Sequence, residues 1–237
     1  MKNLKFKKTN GNLLNFDNNA KTIKGQKKGY KTAILYLAPH IQSGFNVCPQ
    51  ASKGCSKSCL YTSGMGIFSN VQLGRINKTR WFIQERESFL EKLKKEISLF
   101  ISRCEKQNFT PCIRLNGTSD ISFENFDIFQ KFPKVKFYDY SKIYKRAVRY
   151  CNGQYPKNYS ITYSLNEDNK KQAFDILEKG GNISAVFRDF IPKKYKGFRV
   201  VNGDETDLRF LDPKNCIVGL IAKGKAKKDY SGFVLDN

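Results

Sequence analysis

The chain has 237 residues, of which 40% are hydrophobic and 14% are aromatic, so it can form one sizeable core. Forty-three Lys and Arg residues against 21 acidic residues give a formal net charge of +22, which favours contact with polyanions such as nucleic acids. No apolar run reaches the roughly 18–20 residues of a membrane span, and the N-terminus lacks the apolar stretch of a secretory signal. These features argue against a membrane partner and predict a cytoplasmic protein.

The first third of the chain divides into an arm, a strand, a loop and a helix. Residues 1–30 are lysine-rich and weakly periodic, which predicts a basic N-terminal arm with one short strand. Residues 31–237 are expected to form a single domain, whose first strand is the apolar run at 31–39. A loop rich in Gly and Ser follows, and its cysteine-containing part is 46–66. Apolar side chains at helical spacing then predict one long helix: Phe82, Phe89, Leu93, Ile97 and Phe100.

Strands and helices alternate through the rest of the chain. Short apolar runs predict strands at 112–117, 135–140, 160–165, 182–189, 198–203 and 216–222. Helices are predicted at 123–132, 141–151 and 167–179. Strands separated by helices are typical of parallel β-α units. The sequence therefore predicts an α/β fold of five or six parallel β-α units, arranged as a partial (β/α) barrel. An open doubly wound sheet is the alternative.

Polar residues cluster where the predicted strands end. In parallel β/α folds, ligands bind beyond the carboxyl ends of the strands, so these clusters predict an active site. Ordinary polar caps and turns are the alternative interpretation. The clusters are Asn116, Thr118, Ser119 and Asp120; Asp139, Tyr140, Ser141 and Lys142; Ser164 and Asn166; and Asp204, Asp207 and Arg209.

Three cysteines in the loop after the first strand are candidate metal ligands. Cys48, Cys55 and Cys59 have the spacing C-x6-C-x3-C, and thiolates bind soft or borderline metals. Three such ligands leave one position open on an iron–sulfur cluster such as [4Fe-4S]. They also suit a zinc ion, for which His40 is the candidate fourth ligand. Free structural or redox thiols are the third interpretation. The remaining cysteines are predicted to be buried apolar side chains: Cys104, Cys112, Cys151 and Cys216.

Several segments, in order along the chain, resemble the phage proteins of the gene product 88 family. They are SGFNVCPQASKGCSKSCLYTSG, RINKTRWFIQERESFLEKL, RLNGTSDISFENF, FYDYSK and NGDETDLRFLDPKNCIVGLIAKGKA, which together span about residues 36–228. The cysteine loop directly after the first strand is also similar in position to that of radical S-adenosylmethionine (radical-SAM) enzymes. Two of their features are missing here, the C-x3-C-x2-C spacing and a Gly-Gly-Glu motif.

The family resemblance implies roles for matching positions along the whole chain. It marks the three loop cysteines as a cluster site, and the start of the helix behind them at Arg75, Lys78 and Thr79. The other marked positions are Asn116, Gly117, Ser119, Asp120, Tyr138, Tyr140 and Lys142, followed by Gly203, Asp204, Asp207, Arg209, Asp212 and Lys223.

The expected function is an iron–sulfur enzyme, radical-SAM-like, that acts on a nucleic acid or nucleotide. S-adenosylmethionine is its candidate cosubstrate, and it needs an electron donor. The candidate catalytic residues, which orient substrate or move protons, are Asp120, Lys142, Asp204 and Asp207. The candidate cofactor-binding residues are Asn116, Gly117, Ser119, Tyr138, Tyr140, Ser164 and Arg209.

Two other functions remain open from the sequence. One is a non-enzymatic nucleic-acid-binding protein that zinc or a cluster stabilises. The other is a metal-dependent nuclease that uses Asp120, Asp204 and Asp207.

Overall fold

The computed structural model describes residues 3–16 and 20–236, and the elements below lie within those ranges. The strands are β1 Leu14–Phe16, β2 Tyr30–Leu35, β3 Thr110–Arg114, β4 Lys136–Ser141, β5 Tyr159–Ser164, β6 Asn182–Phe187, β7 Lys194–Tyr195, β8 Phe198–Asn202, β9 Ile217–Ile221 and β10 Val234–Leu235. The α-helices are α1 Ala20–Gln26, α2 Lys53–Lys57, α3 Ser69–Gln84, α4 Arg86–Lys106, α5 Ile128–Lys131, α6 Tyr144–Cys151 and α7 Lys170–Glu178.

The described strands form one mostly parallel sheet in the order β1-β2-β3-β4-β5-β6-β9-β8-β7, with β10 beside β6. Every neighbour pair from β2 to β8 is parallel, whereas β1 and β7 are antiparallel edge strands. The seven predicted strands and the α/β class are confirmed. Among the described strands the pairing does not return from β7 to β1, so the sheet is open and no closed barrel forms.

Side chains of the parallel strands alternate between two faces of the sheet. Ile113, Phe137 and Ile161 belong to the main apolar core, which they share with Phe89 of α4. Residues next to them in the strands, such as Arg114, point to the opposite face. That face is concave and is not covered by the helices that build the main core.

The two edges of the parallel sheet meet across the concave face. Lys21 precedes β2 and Asp204 follows β8, yet Lys21 Nζ lies 2.8 Å from Asp204 Oδ1. In a flat sheet, six strand spacings of about 4.8 Å would place these edges about 29 Å apart. The sheet therefore curls until residues at its opposite edges touch through side chains.

The connection from β8 to β9 fills the lower part of the concave face. Because β8 and β9 are parallel neighbours, the chain must return from the end of β8 to the start of β9. Residues 203–212 belong to this crossover. Leu208 in this crossover packs on Cys112, in the middle of β3. The ring of Phe210 lies 5.2 Å from that of Tyr30, at the start of β2. The crossover thus covers the amino ends of the strands and leaves their carboxyl ends open.

The described part of the predicted N-terminal arm is built into the domain. Strand β1 pairs with β2, and the side chain of Leu13 is fully buried. The carboxylate of Glu96 in α4 accepts hydrogen bonds from the N–H groups of Leu13 and Leu14 at 2.8–2.9 Å. These bonds and the buried leucine hold residues 13–16 on the domain, and the short strand predicted within the arm is present as β1. Residues 1–2, 17–19 and 237 lie outside the described ranges.

The prediction of a single long helix after the cysteine loop is wrong, because the structure has two helices there, α3 and α4. The break is at Glu85, whose φ of −134° and ψ of 60° are not helical. Trp81 Nε1 donates to Ser88 Oγ at 2.7 Å across the break, and the Trp81 and Phe89 rings pack edge to face at 5.5 Å. Aromatic packing between the two helices therefore outweighs helix continuity. No Gly or Pro marks the position in the sequence.

Two further differences concern short elements and cysteines. The helix predicted at 123–132 is a 3-10 turn followed by α5, interrupted at Asp127, which has a φ of 53°. Cys104, Cys112 and Cys216 are buried as predicted, whereas Cys151 is half-buried on α6. None of the helices in the described ranges has the length and apolar character that crossing a membrane requires.

Candidate functional site

A cavity of about 420 Å³ opens at the carboxyl ends of the parallel strands, above the crossover 203–212. Its size is in the range of small-molecule sites. Cys48, Cys55 and Cys59 all line it. So do most of the other predicted site residues: Asn116, Gly117, Ser119, Asp120, Tyr140, Lys142, Ser164, Asp204 and Asp207.

The cysteine segment is positioned by later parts of the chain. Ser52 Oγ accepts a hydrogen bond from the N–H of Cys55 at 3.1 Å and so caps α2. Glu167, just beyond β5, accepts bonds from Ser52 Oγ at 2.7 Å and from the N–H of Gly54 at 2.6 Å. A Cβ on Gly54 would lie 2.1 Å from Ser231 Oγ and 2.7 Å from Glu167 Oε1. Only glycine therefore allows this close approach.

The described hydrogen bonds to the site sulfurs are at Cys48. Its Sγ accepts a hydrogen bond from the N–H of His40 at 3.3 Å and donates to the carbonyl of Thr118 at 3.7 Å. Lys142 lies close enough to Cys55 for the two groups to interact electrostatically. Hydrogen bonds to sulfur stabilise thiolate ligands and tune the metal centres that they hold.

Burial disfavours the thiolate form of two of the site cysteines. It raises the pKa of Cys48 to about 12, with further contributions from Cys59 and Asp120, and it also raises the pKa of Cys59. Burial opposes the charge of Lys142, but Cys55, Asp120 and Cys48 outweigh it, so the net pKa of Lys142 is raised. Added positive charge, such as that of a bound metal, favours the thiolate form of Cys48 and Cys59.

Among residues 3–16 and 20–236, no group of three or more His, Cys, Asp or Glu side chains is arranged to hold a metal ion. This geometry therefore supports none of the metal interpretations: neither zinc with His40, nor a nuclease with three aspartates, nor a metal centre on the three cysteines. Each aspartate is instead paired with its own cation: Asp120 with Arg146, Asp204 with Lys21 and Lys223, and Asp207 with Arg114.

Asn116 shapes the loop after β3 with all of its side-chain polar atoms. Its amide donates to Asp139 Oδ2 at 3.0 Å and to the carbonyl of Ile121 at 2.9 Å. Its oxygen accepts from Ser119 Oγ and from the N–H of Ile121. Burial raises the pKa of Asp139 to about 6. The polar atoms of the Asn116 side chain thus have hydrogen-bond partners within the protein, and its role in ligand binding stays a prediction.

Position 117 requires glycine, because the backbone there passes close to β2. Its N–H donates to the carbonyl of Leu35 at 3.0 Å. An added Cβ would lie 2.6 Å from Tyr36 Cδ1 and 2.8 Å from Ile34 Cγ2. Packing against β2 accounts for the glycine without a ligand.

Asp120 joins the loop after β3 to β4 and to the cysteine segment. Its Oδ1 accepts from Arg146 Nη1 at 2.7 Å and from Ser141 Oγ at 2.8 Å, and its Oδ2 accepts from the N–H of Lys142 at 2.7 Å. Its own N–H donates to the carbonyl of Val47 at 2.8 Å, next to Cys48 in sequence. Asp120 therefore positions the backbone of Lys142 beneath the cysteine sulfurs.

Arg114, Tyr140 and Asp207 form the base of the cavity. The Arg114 guanidinium lies 4.5 Å from the Tyr140 ring centre, and its Nη1 lies 3.3 Å from Asp207 Oδ2. The same carboxylate oxygen accepts from the Tyr138 hydroxyl at 2.9 Å. The Tyr140 hydroxyl has no hydrogen-bond partner among the described residues. It therefore remains available to a ligand in the cavity.

Asp204 holds two lysines at the open edge of the cavity. Its Oδ1 lies 2.8 Å from Lys21 Nζ and 2.7 Å from Lys223 Nζ, and its Oδ2 accepts from the N–H of Ile221 at 2.9 Å. Burial opposes its ionisation, but hydrogen bonds from Lys21 and Lys223 hold the pKa of Asp204 well below its ordinary range. We call Lys21, Asp204 and Lys223 the edge triad.

Two predicted binding residues do not line the cavity. Tyr138 lies beneath it, fully buried, with its hydroxyl on Asp207. Arg209 turns away, with Nη2 donating to the carbonyl of Thr206 at 2.7 Å and Nη1 3.3 Å from Asp212 Oδ2. The predicted Ser164 does line the cavity, and its Oγ lies 3.2 Å from the Ser184 Oγ that donates to it.

The positions marked on α3 and after β8 connect elements of the fold. Thr79 Oγ1 accepts from the N–H of Ala38, and Lys78 Nζ donates to the carbonyl of Leu13. The Arg75 guanidinium lies over the rings of Tyr36 and Tyr61. The backbone at Gly203 packs closely against β9, since an added Cβ would lie 2.5 Å from Val218 Cγ1.

The sequence reasoning missed Arg114, Glu167, Arg146 and Lys21. For Arg114 a signal exists, because an arginine inside the apolar run CIRLNG needs a partner when it is buried. The carboxylates that Arg146 and Lys21 pair with, and the residues that Glu167 binds, are at least 22 positions away, and nothing local in the sequence identifies such pairs.

One family model matches the chain: the model described as Gene product 88 covers residues 12–237. Searches among curated proteins and among solved structures found no match.

Proposed function

This chain belongs to the Gene product 88 family of phage proteins, and we propose that it is an iron–sulfur enzyme, radical-SAM-like, that acts on a nucleic acid or nucleotide. One observation carries the proposal. Cys48, Cys55 and Cys59 all line a single cavity at the carboxyl ends of parallel strands, and Lys142 lies beside Cys55 in that cavity.

The donor set has the thiolate count of a cluster with one open iron. In a cubane cluster each cysteine binds a different iron. Three thiolates leave the fourth iron open to a cosubstrate, for which S-adenosylmethionine is our candidate. A bound cluster would supply one-electron reduction at that position. The curled, open parallel sheet is consistent with a partial (β/α) barrel of radical-SAM type.

The cationic side chains of the cavity suit an anionic substrate. Five cationic side chains line the cavity: Lys21, Lys57, Arg114, Lys142 and Lys223. In this proposal Tyr140 and Arg114 contact the substrate at the base of the cavity. Lys142, beside the cysteine sulfurs, holds or donates a proton there, and Asp207 orients Arg114. Asp120 and Asp204 act as positioning residues, because their carboxylates are already paired with cations.

The charge outside the cavity supports contact with a polynucleotide. Lys223, Lys225, Lys227 and Lys228 are exposed at the open edge of the cavity and beside it. A chain with a net charge of +22 releases counterions when it neutralises phosphates. Binding to single-stranded oligonucleotides is therefore expected to weaken steeply as salt is raised, and a flat response would argue against phosphate contact. Cytoplasmic location and an electron donor remain predictions.

The first test is iron and acid-labile sulfide analysis, with a visible spectrum, on protein purified without oxygen. Brown protein is expected, and Cys48→Ser, Cys55→Ser and Cys59→Ser should each lose most of the iron. Cys151→Ser is the matched control, because Cys151 is half-buried on α6 outside the cavity, and it should keep its iron.

The same samples separate the proposal from its alternatives. Formation of 5′-deoxyadenosine from S-adenosylmethionine under dithionite would support the radical-SAM-like reaction. Colourless protein with about one zinc per chain would contradict the cluster and favour a zinc-stabilised binding protein. Iron content that all three serine variants retain would contradict the cysteine site itself.

A further inference from the structure

An uncharged, apolar segment follows the last site cysteine. Residues 58–74 contain no charged residue, although 27% of the chain is charged. Large apolar side chains in this segment are 50–62% exposed, and we call them the apolar patch: Leu60, Met65, Ile67, Phe68 and Leu73. Single exposed apolar residues are common on protein surfaces, but a concentration of five in one short segment marks an interaction site.

The patch is displayed by an ordered segment. The N–H of Gly66 donates to the carbonyl of Ser63 at 3.1 Å, and Gln72 Nε2 donates to the carbonyl of Gly66 at 2.8 Å. A Cβ on Gly66 would lie 2.8 Å from the carbonyl oxygen of Tyr61, so the turn is tightly closed. These bonds fold the start of α3 back on two 3-10 turns, Leu60–Thr62 and Gly64–Ile67, and the large apolar side chains of the segment are exposed.

The patch adjoins both the cysteine site and a basic segment. Leu60 follows Cys59 directly, and both residues line the cavity. The lysine-rich 3-10 helix Gly224–Lys228 packs beside the patch, since a Cβ on Gly224 would lie 2.8 Å from Ser63 Cβ. Its lysines at 225, 227 and 228 are exposed. A protein bound on the patch would therefore face lysines on its rim and lie close to the cysteine sulfurs.

We infer that the apolar patch is the docking surface for an acidic electron-carrier protein, which has an apolar contact region surrounded by carboxylates. The inference rests on the proposed function and identifies the chemistry of its electron donor. The cationic rim selects an anionic partner and disfavours a second copy of this chain, whose net charge is also +22. A cluster bound by the three cysteines would accept one electron from the reduced cofactor of the carrier, so the carrier would be oxidised and the cluster reduced.

The test compares a patch variant with a matched control, using purified acidic plant-type [2Fe-2S] ferredoxin as the probe. Met65→Glu with Phe68→Glu places like charge in the contact and is expected to weaken ferredoxin binding at least tenfold. Leu99→Glu, at an apolar position on α4 that is 71% exposed, should bind like the unchanged protein. Reduction of the iron–sulfur site by ferredoxin should slow at least tenfold in the patch variant. Reduction by dithionite should not change, because a small reductant needs no docking.

Several outcomes would overturn the docking surface. They are no ferredoxin binding by the unchanged protein, equal binding by the patch variant, or equal loss in the Leu99→Glu control. A dimer in sedimentation that the patch variant abolishes would assign the patch to a second copy. Binding to phosphatidylglycerol vesicles that the variant abolishes would assign it to a lipid surface. If circular dichroism shows that the double variant does not fold, Leu73→Glu replaces it. Iron and sulfide content test the proposed function alone, and ferredoxin binding tests the docking surface alone.

Discussion

The two faces of the sheet are built from alternate residues of the same strands, yet they differ in chemistry. In β3, Ile113 lies in the apolar core, whereas its neighbour Arg114 lies at the base of the cavity. In β4, Phe137 packs in the core and Tyr140 lines the cavity. Charges are costly to bury unless they are paired, so the concave face carries them in ion pairs. The comparison indicates that the helix-covered face provides stability and that the concave face leaves groups available for ligands.

The largest effect is expected on the helix-covered face. Phe89→Ala removes a fully buried ring that contacts Trp81 and Phe82, and it should lower the free energy of unfolding by about 3–5 kcal/mol. Urea unfolding measures this change. Leu99→Ala on the same helix is the matched control and should change stability by less than about 0.5 kcal/mol, because Leu99 is exposed. Equal losses in both variants would contradict the assignment of stability to this face.

A smaller effect is expected beneath the cavity. Tyr138→Phe removes the hydroxyl that donates to the buried Asp207 carboxylate, and it should lower stability by about 1.5–3 kcal/mol. Tyr140→Phe is its matched control, because the Tyr140 hydroxyl has no partner among the described residues and its loss should cost less than about 0.5 kcal/mol. Thermal or urea unfolding of the two variants distinguishes the structural tyrosine from the one available to a ligand. A larger loss for Tyr140→Phe would reverse these roles.

The smallest effect is expected at the edge triad, and it depends on pH. The folded-state pKa of Asp204 lies below its unfolded value of about 3.9, so its stabilising contribution is present above that pH and is lost as the pH falls toward the folded pKa. Wild-type protein should exceed Asp204→Asn in stability by roughly 1 kcal/mol above pH 5, because the triad is partly exposed. This difference should shrink below about pH 4.

Unfolding curves for both proteins from pH 3 to pH 7 measure that trend. Glu205→Gln is the control, since Glu205 is the exposed neighbour of Asp204. A constant difference between wild type and Asp204→Asn across the whole range would contradict the ion-pair origin. A difference that grows as the pH falls would contradict the sign.

The strands and the cysteine segment were predictable because their signals are local. Seven apolar runs bounded by polar residues predict the seven strands from β2 to β8 in the sheet order, and their carboxyl ends place polar clusters at one edge of the sheet. Cys48, Cys55 and Cys59 lie within twelve positions of one another, so the sequence alone marks them as one candidate site. Most of the predicted strand-end residues then line the cavity for the same geometric reason.

The pairings that complete the site were not predictable, because they join distant positions. Glu167 fixes the cysteine helix from beyond β5, and Arg146 reaches Asp120 from α6. Strand β9 lies between β6 and β8 in the sheet, although it follows β8 in the chain. The crossover 203–212, which joins β8 to β9, lies inside the concave face. Hydrophobic periodicity reports which side of an element is buried but not which element covers it.

By itself the sequence determined the parallel β/α alternation, the cysteine cluster and the large positive charge, since each depends on residue types and spacing within short segments. Only the tertiary structure decided that the sheet curls until Lys21 meets Asp204, and that Asp120 is a paired, positioning carboxylate. It also decided that the residues after Cys59 present an apolar surface. These features arise from contacts between segments remote in the chain, whose free energies depend on packing and desolvation and not on local propensity.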